Sequence, residues 1–261
     1  THPDGEGGTE TETITGLEVM EIAETGSSTF VVSPGMDIQA AIDAASDGDT
    51  IQLLSGTHPA AASGAGGLVT VDKSVTILGP NAGISPLDPF AVRGPEAFLG
   101  VRFDVTADDV TIDGVRFAGA AAGPVPVADF KGANGALLNA IAFQASSLAP
   151  DFPQVSVTGD GATVAANHFA RDPATDADAP TIDASGVDAV TIDGNQVDNG
   201  WIAVDGDAGA DVVVTNNTVD NPNVGGSEDF EITVAGPSGG PVDSLDASGN
   251  TVASPAGARG V

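Results

Sequence analysis

One short phrase recurs along the chain at intervals of 22 to 33 residues, and this repeat restricts the possible folds more than any other feature. The phrase alternates apolar residues with Thr or other polar residues, then passes through a small residue or Asn to a final Val or Phe. Its clearest copies span residues 190–197 and 212–219. Repeats of this length are typical of stacked, solenoid-type proteins. The anchors of six copies are Phe117, Phe143, Phe169, Val197, Val219 and Val252.

Each copy has the period-two alternation of a β-strand with one apolar face. The position five residues before the anchor is filled by Ile112, Leu138, Val164, Ile192, Val214 and Ala247. A small residue or Asn stands three residues before the anchor, which suits a bend in the left-handed region. That column holds Gly114, Ala140, Ala166, Gly194, Asn216 and Gly249. The phrase is therefore predicted to form strand, bend and strand.

Two further patterns complete the prediction of the fold. The position two residues before the anchor is Asn in four copies, which predicts a ladder of stacked amides: Asn167, Asn195, Asn217 and Asn250. A second set of strands precedes the phrases, at Val101–Val105, Val127–Lys131, Val155–Thr158, Thr181–Asp183, Trp201–Asp205 and Phe230–Val234. These patterns predict an all-β protein, a right-handed parallel β-helix of about seven rungs, where a rung is one turn of the coil.

The start of the coil carries the pattern of a short helix. Ile38, Ala41, Ile42 and Ala45 fall on one face of it, and a turn and a strand follow. The end of a β-helix exposes an apolar stack and unpaired backbone groups, so it needs a cover. We therefore predict a short N-terminal capping helix.

The stretch from Gly35 to Ile51 contains Ile-Gln-Ala-Ala-Ile and Gly-Asp-Thr-Ile. It resembles the opening phrase of the pectate-lyase-like right-handed parallel β-helix superfamily, and the resemblance extends over roughly residues 30–255. The resemblance implies the fold and leaves the function open. Lyases, hydrolases, adhesins, virion fibres and structural modules all belong to this superfamily.

The composition indicates a halophilic protein of the secreted or surface type. The net charge is −30, from 37 acidic and 7 basic residues. Such a surface is typical of proteins that work in molar salt, where the Debye length is only about 3 Å. An acidic mesophilic protein in a Ca²⁺-rich medium is the alternative. Because the chain begins with Thr1 and not with Met, we expect that a leader was removed or that the sequence is a piece of a longer one.

The same composition excludes several classes of partner and cross-link. Phosphate binding needs clustered Lys and Arg, so no nucleic acid is expected as a partner. The chain has no Cys, so it cannot form disulfides. It has no apolar run of about 18 residues, so we expect no membrane span.

The chain divides into an acidic segment, residues 1–29, and a β-helix domain, residues 30–261. The first segment contains six of the nine Glu residues and no base, and it is rich in Thr. Its apolar residues let it add a strand to its own rod or to a neighbouring one. The last rung, near Ser244–Val252, shows no amphipathic helix that would close it. These features predict a subunit of an assembly in which the tail or the cap of one subunit packs on another.

One groove is a candidate for catalysis. The outward positions of adjacent rungs in the second set of strands include Arg102, Asp104, Asp129 and Lys131. A polysaccharide lyase needs an acidic or Ca²⁺-bound group to neutralise a uronate and a Lys or Arg as base, and this patch has those residue types. The alternative, which we favour, is a structural ladder of cross-strand ion pairs. His58 and His168 are interpreted as turn residues.

Two further motifs are candidate sites. Asp205, Asp207 and Asp211 have the spacing of hard-cation ligands, so Ca²⁺ is a possible cofactor, although an ordinary turn is the favoured interpretation. Asn216 opens the sequon Asn-Asn-Thr and is the candidate N-glycosylation site, since Asn217 is expected to point into the ladder.

Three functional hypotheses follow. The favoured one is an extracellular structural or assembly protein of a halophile: a surface filament, a surface-layer component or a virion component that binds copies of itself or neighbouring surface proteins. The second is a carbohydrate-active enzyme of the polysaccharide lyase type that uses the groove. The third is a glycan-binding adhesin. The chain has one Trp, no Tyr and few bases, which favours the first hypothesis over the other two.

Overall fold

A computed structural model describes segments 11–14, 17–22, 26–62, 67–117, 126–144, 152–172, 179–220, 232–236 and 242–253. Within these segments the chain is all-β, with one α-helix, α1 (Ile38–Ala44), and one 3-10 turn, Ala60–Ala62. None of the helices in the described segments has the length and hydropathy that a membrane crossing would require.

Most strands belong to three ladders of parallel strands. The strands are numbered in chain order. The first ladder consists of β3 (Ser27–Val32), β4 (Thr50–Leu53), β7 (Thr76–Leu78), β10 (Thr111–Asp113), β13 (Ala136–Leu138), β16 (Ala162–Ala165), the later parts of β18 (Ile182–Asp193) and β20 (Ile202–Thr215), and β23 (Ser244–Asp246). The second consists of β6 (Leu68–Val71), β9 (Arg102–Val105), β12 (Ala128–Phe130), β15 (Val155–Val157), the early parts of β18 and β20, and β22 (Ile232–Ala235).

The third ladder is an eight-stranded sheet of its own. Its strands are β5 (Gly56–His58), β8 (Ala97–Leu99), β11 (Arg116–Phe117), β14 (Ile141–Gln144), β17 (His168–Arg171), β19 (Gln196–Asp198), β21 (Thr218–Asp220) and β24 (Thr251–Ala253). The first two ladders belong to one sheet, because β18 and β20 each take part in both; with two antiparallel strands before β3, β1 (Thr11–Ile14) and β2 (Leu17–Ile22), this sheet has 16 strands.

The chain visits the three ladders in a fixed order. From β9 onward it passes through the second, the first and the third ladder, and it repeats this circuit with β12, β13 and β14. Every pair within a ladder is parallel, which requires the chain to return to the same end before each new strand. This order is consistent with a solenoid or β-helix-like fold, as the repeat predicted.

The columns of the repeat occupy the positions that the sequence predicts in most copies. Ile112, Ile192 and Val214 have no exposed surface. The bends have positive φ angles, for example 70° at Gly114 and 57° at Ala166. The apolar face of each strand therefore fills the interior of the coil, and the bend column separates the first ladder from the third.

The structure corrects the prediction for the copy assigned to Phe143. The anchor position of this copy lies one residue earlier than predicted. Phe143 is 46% exposed, whereas Ala142 is buried and pairs with Phe169 on the next strand. By the same shift Leu137 is buried and Leu138 is only half-buried.

The bend residue explains this shift. The positive φ falls on Asn139, at 50°, and not on the predicted Ala140. Asn enters the left-handed region more readily than Ala, because its short polar side chain can bond locally. Asn139 at the bend therefore sets the register of this copy. The predicted register would have buried the larger apolar side chain of Phe143 in place of Ala142.

The predicted Asn ladder is present. The Nδ2 atoms of Asn167, Asn195 and Asn217 each donate to the Oδ1 atom of the next Asn, at 3.0, 2.9 and 3.1 Å. The same Oδ1 atoms accept the backbone N–H groups of the preceding Asn residues, at 3.1, 2.9 and 2.9 Å. The side chains of these three residues are buried. The ladder thus satisfies the polar groups that are buried at the bend.

Helix α1 covers the N-terminal end, as predicted. Ile38, Ala41 and Ile42 are fully buried in the core, and the helix contacts β3 and β6. The Asp37 side chain caps the helix by accepting the N–H of Gln39 at 2.9 Å. At the other end Lys73 Nζ donates, at 3.0, 2.6 and 2.7 Å, to the carbonyl groups of Ile42, Asp43 and Ala45.

The acidic N-terminal segment pairs with its own sheet. Strands β1 (Thr11–Ile14) and β2 (Leu17–Ile22) form an antiparallel pair, and β2 is antiparallel to β3. Of the two predicted alternatives, the strands therefore extend their own rod. Strand β3 runs through position 29, so its pairing continues across the predicted boundary between residues 29 and 30.

A segment between β7 and β8 crosses the bends of other rungs, and we call residues 80–96 the strap. Gly94 N–H donates to the buried Asn81 Oδ1 at 2.6 Å, which closes the strap at its base. Arg93 pairs with Glu96 at 3.0 Å and donates from Nη1 to the carbonyl of Asn139 at 3.1 Å.

Candidate functional site

The structure brings the four predicted groove residues together on the second ladder. Asp104 of β9 and Asp129 of β12 are directly paired in register, and Lys131 follows β12 immediately. Together with Arg102 they line a cavity of about 220 Å³. The other described lining residues are Leu68, Phe103 and Pro126.

Lys131 connects the two carboxylates. Its Nζ atom lies 2.5 Å from Oδ1 of Asp104 and 3.2 Å from Oδ2 of Asp129. The hydrogen bond that Lys131 donates to Asp104 is the main reason why the pKa of Lys131 is raised above its ordinary value, and Asp129 adds to the shift while partial burial opposes it. The side chain is 46% exposed, so this pairing contributes little to stability.

The raised pKa bears directly on the catalytic hypothesis. A general base must lose its proton near the working pH, and a Lys does so only when its pKa is lowered. The two carboxylates instead raise the pKa of Lys131. The cross-strand ion pairs of the alternative interpretation are present, and the Lys131 ammonium is unsuited to abstract a proton at neutral pH.

Arg102 differs from Lys131 in having no ion-pair partner among the residues that the structure describes. Its Nε atom is buried and has no hydrogen-bond acceptor. Within the described part of the chain no carboxylate forms an ion pair with it, since both acids of the groove are bound to Lys131. A guanidinium in this state can accept an anion from solution.

The remaining bases of the described segments are engaged in structural contacts. Arg171 is buried and donates to the carbonyl groups of Phe152, Ala179 and Pro180 at 3.1, 2.8 and 2.8 Å. Burial lowers the pKa of Arg171 to about 10, which still leaves it charged at neutral pH. These bonds tie together backbone segments of the second and third ladders.

Arg116 lies on the outer face of the third ladder. Its guanidinium carbon is 5.2 Å from the centre of the Phe98 ring on the neighbouring strand. This is a cation–π contact, which holds the side chain along the sheet surface. Like Arg102, Arg116 forms no ion pair among the described residues, but it is not one of the residues that line the groove cavity.

The predicted Ca²⁺ ligands Asp205, Asp207 and Asp211 lie on one strand. Strand β20 runs through all three, and all three are exposed. The pairing is irregular there, since Gly206 pairs with Val187 and Asp211 with Ala189, so that residues 207–210 bulge out of the ladder, and Gly209 has a φ of 98°. In the described segments no group of three acidic or His side chains is placed to hold a metal ion. The geometry gives the calcium hypothesis no support.

The candidate glycosylation residue lies where predicted. Asn216 is exposed at the bend, with φ of 55°, while Asn217 is buried in the ladder. The Nδ2 atom of Asn216 donates to Oδ1 of Asp193 at 2.8 Å. A glycan at this atom would have to replace or share that bond.

The structure corrects the prediction that His58 and His168 are turn residues, because both lie in strands. His58 ends β5, is fully buried, and pairs through Nε2 with the carbonyl of Leu54 at 2.9 Å. His168 begins β17, and its Nε2 lies 2.8 Å from Oδ2 of Asp198 on the neighbouring strand. The spacing of the repeat could have predicted the contact between His168 and Asp198, because each of them stands next to an anchor position.

The described C-terminal rung is exposed, unlike the rungs before it. In one inward column Val190 and Val212 are buried, at 2% and 0% exposure, but Leu245 of β23 is 50% exposed. In another column Val219 is fully buried, whereas Val252 is only half-buried. An apolar stack therefore opens to solvent at this end.

Comparison with known protein families, curated proteins and solved structures finds no match to this chain. The contacts of the chain itself are the basis for a functional argument.

Proposed function

We propose that the chain is a non-enzymatic, extracellular structural protein of a halophile. In this proposal the solenoid-like body is a right-handed parallel β-helix of the pectate-lyase-like type that serves as a rigid rod at a cell or virion surface. The rod associates with further copies through its C-terminal rung, and neighbouring surface proteins are additional partners.

The observation that carries this proposal is the exposed Leu245. It stands in an inward column in which the preceding residues have almost no accessible surface. Burial of apolar surface stabilises by roughly 25 cal/mol per Å². Stacking a second copy on this rung would bury Leu245 and Val252 and would cover the open edges of β23 and β24.

The groove and the charge support the same proposal. The groove lacks a base with a lowered pKa, because Lys131 is bound to Asp104 and Asp129. The net charge of −30 favours a working environment of high salt, in which repulsion between acidic copies is screened and apolar association is not weakened.

The test is to place a charge in the exposed rung. Leu245→Asp should leave the fold intact and shift the protein from oligomer to monomer in molar KCl, measured by light scattering after size exclusion. The matched control is Phe90→Asp, since Phe90 is 90% exposed and lies on the strap, away from the rung. A wild-type protein that stays monomeric at high concentration, or a Leu245→Asp variant that associates like wild type, would reject this function.

A carbohydrate-active enzyme or a glycan-binding adhesin is the second candidate. The cavity beside Arg102 and Lys131 favours it, because acidic sugars need a cationic, partly enclosed site. If the groove is catalytic, Lys131→Ala should abolish cleavage of a uronate-containing polysaccharide without unfolding the rod. An absence of cleavage and of binding by the wild-type protein across such polymers would remove this candidate.

A further inference from the structure

We propose that Arg102 and the apolar wall beside it form a binding site for a small monocarboxylic acid that carries a compact apolar group. Benzoate is a suitable probe of this class. The site lies in the cavity on the second ladder and is separate from the C-terminal rung, so it adds a ligand to the structural role.

The first argument is the unpaired charge of Arg102. Its Nε–H is buried without an acceptor, although the chain has 37 acidic residues and only 7 bases. Asp104 and Asp129 are the nearest carboxylates in the groove, and both are bound to the Nζ atom of Lys131. The buried Nε–H is closed to a ligand, so a bound carboxylate would be held by charge-assisted hydrogen bonds from the Nη1 and Nη2 groups of Arg102, which no described carboxylate occupies.

The second argument is the apolar wall. Leu68 is the direct cross-strand neighbour of Arg102, and its side chain is 37% exposed. Paired side chains on neighbouring strands lie roughly 5 Å apart, so a ligand held by Arg102 would rest against Leu68. Pro126 also lines the cavity. Contact with these two residues would bury the apolar part of the acid.

The size and the charge of the cavity define the ligand further. Its volume of about 220 Å³ is below the range of roughly 300–1,000 Å³ of pockets for drug-sized ligands, which indicates a compact molecule. The two cations and two carboxylates of the groove sum to zero charge at neutral pH. A phosphate or sulfate dianion would be repelled by Asp104 and Asp129, whereas a monocarboxylate needs only the Arg102 fork.

The test measures binding of three probes to the full chain by NMR titration and calorimetry. Benzoate should bind saturably, acetate should bind more weakly because it lacks the apolar group, and benzyl alcohol should not bind because it lacks the charge. Arg102→Gln should weaken benzoate binding by about tenfold or more. Arg116→Gln is the matched control, since it removes a second Arg that forms no ion pair among the described residues and lies on a different sheet, and it should leave the affinity unchanged.

Thermal melting of each variant in the same buffer checks that the fold is retained. If Arg102→Gln does not fold, Arg102→Lys keeps the charge but loses the planar fork and should bind benzoate several-fold more weakly. The proposal is overturned if wild type shows no saturable benzoate binding. It is equally overturned if Arg102→Gln, or Arg102→Lys where the first variant does not fold, binds benzoate like wild type. It is also overturned if Arg116→Gln loses as much affinity, or if inorganic phosphate competes as strongly as benzoate. None of these results depends on whether the protein assembles.

Discussion

The Nδ2 atom of Asn195 lies 2.9 Å from the Oδ1 atom of Asn217 one rung away. The second hydrogen of the same amide goes to the carbonyl of Val164 at 2.8 Å, and its oxygen accepts two bonds from Asn167. All the bonding capacity of this buried amide is thus used within the rod. A chain of such amides fixes the relative position of successive bends and is costly to interrupt.

Replacement of Asn195 by Ala should therefore lower the free energy of unfolding by about 2–4 kcal/mol, because several buried groups lose their partners. The loss can be measured by denaturant unfolding in molar salt. The exposed Thr218, on the neighbouring strand β21, provides the control: Thr218→Ala should change stability by less than about 0.5 kcal/mol. Equal effects of the two substitutions would mean that the ladder does not stabilise the rod.

Core truncation should distinguish the interior of the rod from its open end. Ile192 has no exposed surface, so Ile192→Ala should cost about 2–5 kcal/mol. Leu245 is 50% exposed, and Leu245→Ala should cost well under half as much when the protein is monomeric. Unfolding curves recorded at low protein concentration test this difference. A comparable loss at both positions would show that Leu245 is already covered in the monomer.

Salt should control the stability of the fold. The net charge of −30 causes self-repulsion. The Debye length, over which this repulsion acts, is about 3 Å in 1 M salt and about 30 Å in 0.01 M salt. We expect the melting temperature to fall continuously as KCl is lowered below about 0.5 M. Scanning calorimetry over a KCl series measures this, and a constant melting temperature would argue against halophilic adaptation.

The ion pairs of Lys131 predict a pH dependence at the alkaline end. The pKa of Lys131 is raised above its ordinary value in the folded state, mainly by the hydrogen bond that Lys131 donates to Asp104. The stabilisation is complete below the pKa of the unfolded chain and is lost as the pH rises through the higher folded-state pKa. NMR titration of the Lys131 side chain should show that Asp104→Asn lowers this pKa. An unchanged titration midpoint would mean that Asp104 does not hold the ammonium.

Removal of residues 1–22 should leave the rod folded, because β3 keeps its parallel pairing with β4. The deletion would uncover the edge of β3 that β2 occupies, and unpaired strand edges promote association. We expect an unchanged circular dichroism spectrum and an increased tendency to aggregate on size exclusion. Loss of the β signal would instead show that the N-terminal strands are required for folding.

The sequence predicts the repeat pattern well because each copy obeys several rules together. At the copy containing Ile192, alternation, bend and Asn column all agree, and the structure follows them. The copy near Phe143 has no ladder Asn, so alternation alone could not choose between two registers. The bend preference of Asn139 decided between them.

The groove was predictable only in part. Alternation and rung spacing were enough to place Asp104, Asp129 and Lys131 on one surface. They could not show which cation the carboxylates would bind, because this depends on side-chain reach across the strands. The unpaired state of Arg102 is a result of that choice. Likewise, the bulge of β20 between Gly206 and Asp211 reflects its pairing with β18, which no local pattern reveals.

The strap changes how the rod is expected to yield under force. In an array whose units touch only their next neighbours, units can detach one by one from an end. Arg93 of the strap instead reaches past the rung of β10 and donates to the carbonyl of Asn139 beside β13. Gly83, also in the strap, donates its N–H to the side chain of Asp113 in β10 at 3.0 Å. The rungs of β7, β10 and β13 are thereby fastened together. A molecule pulled from its N-terminus should lengthen by these three rungs in one large step.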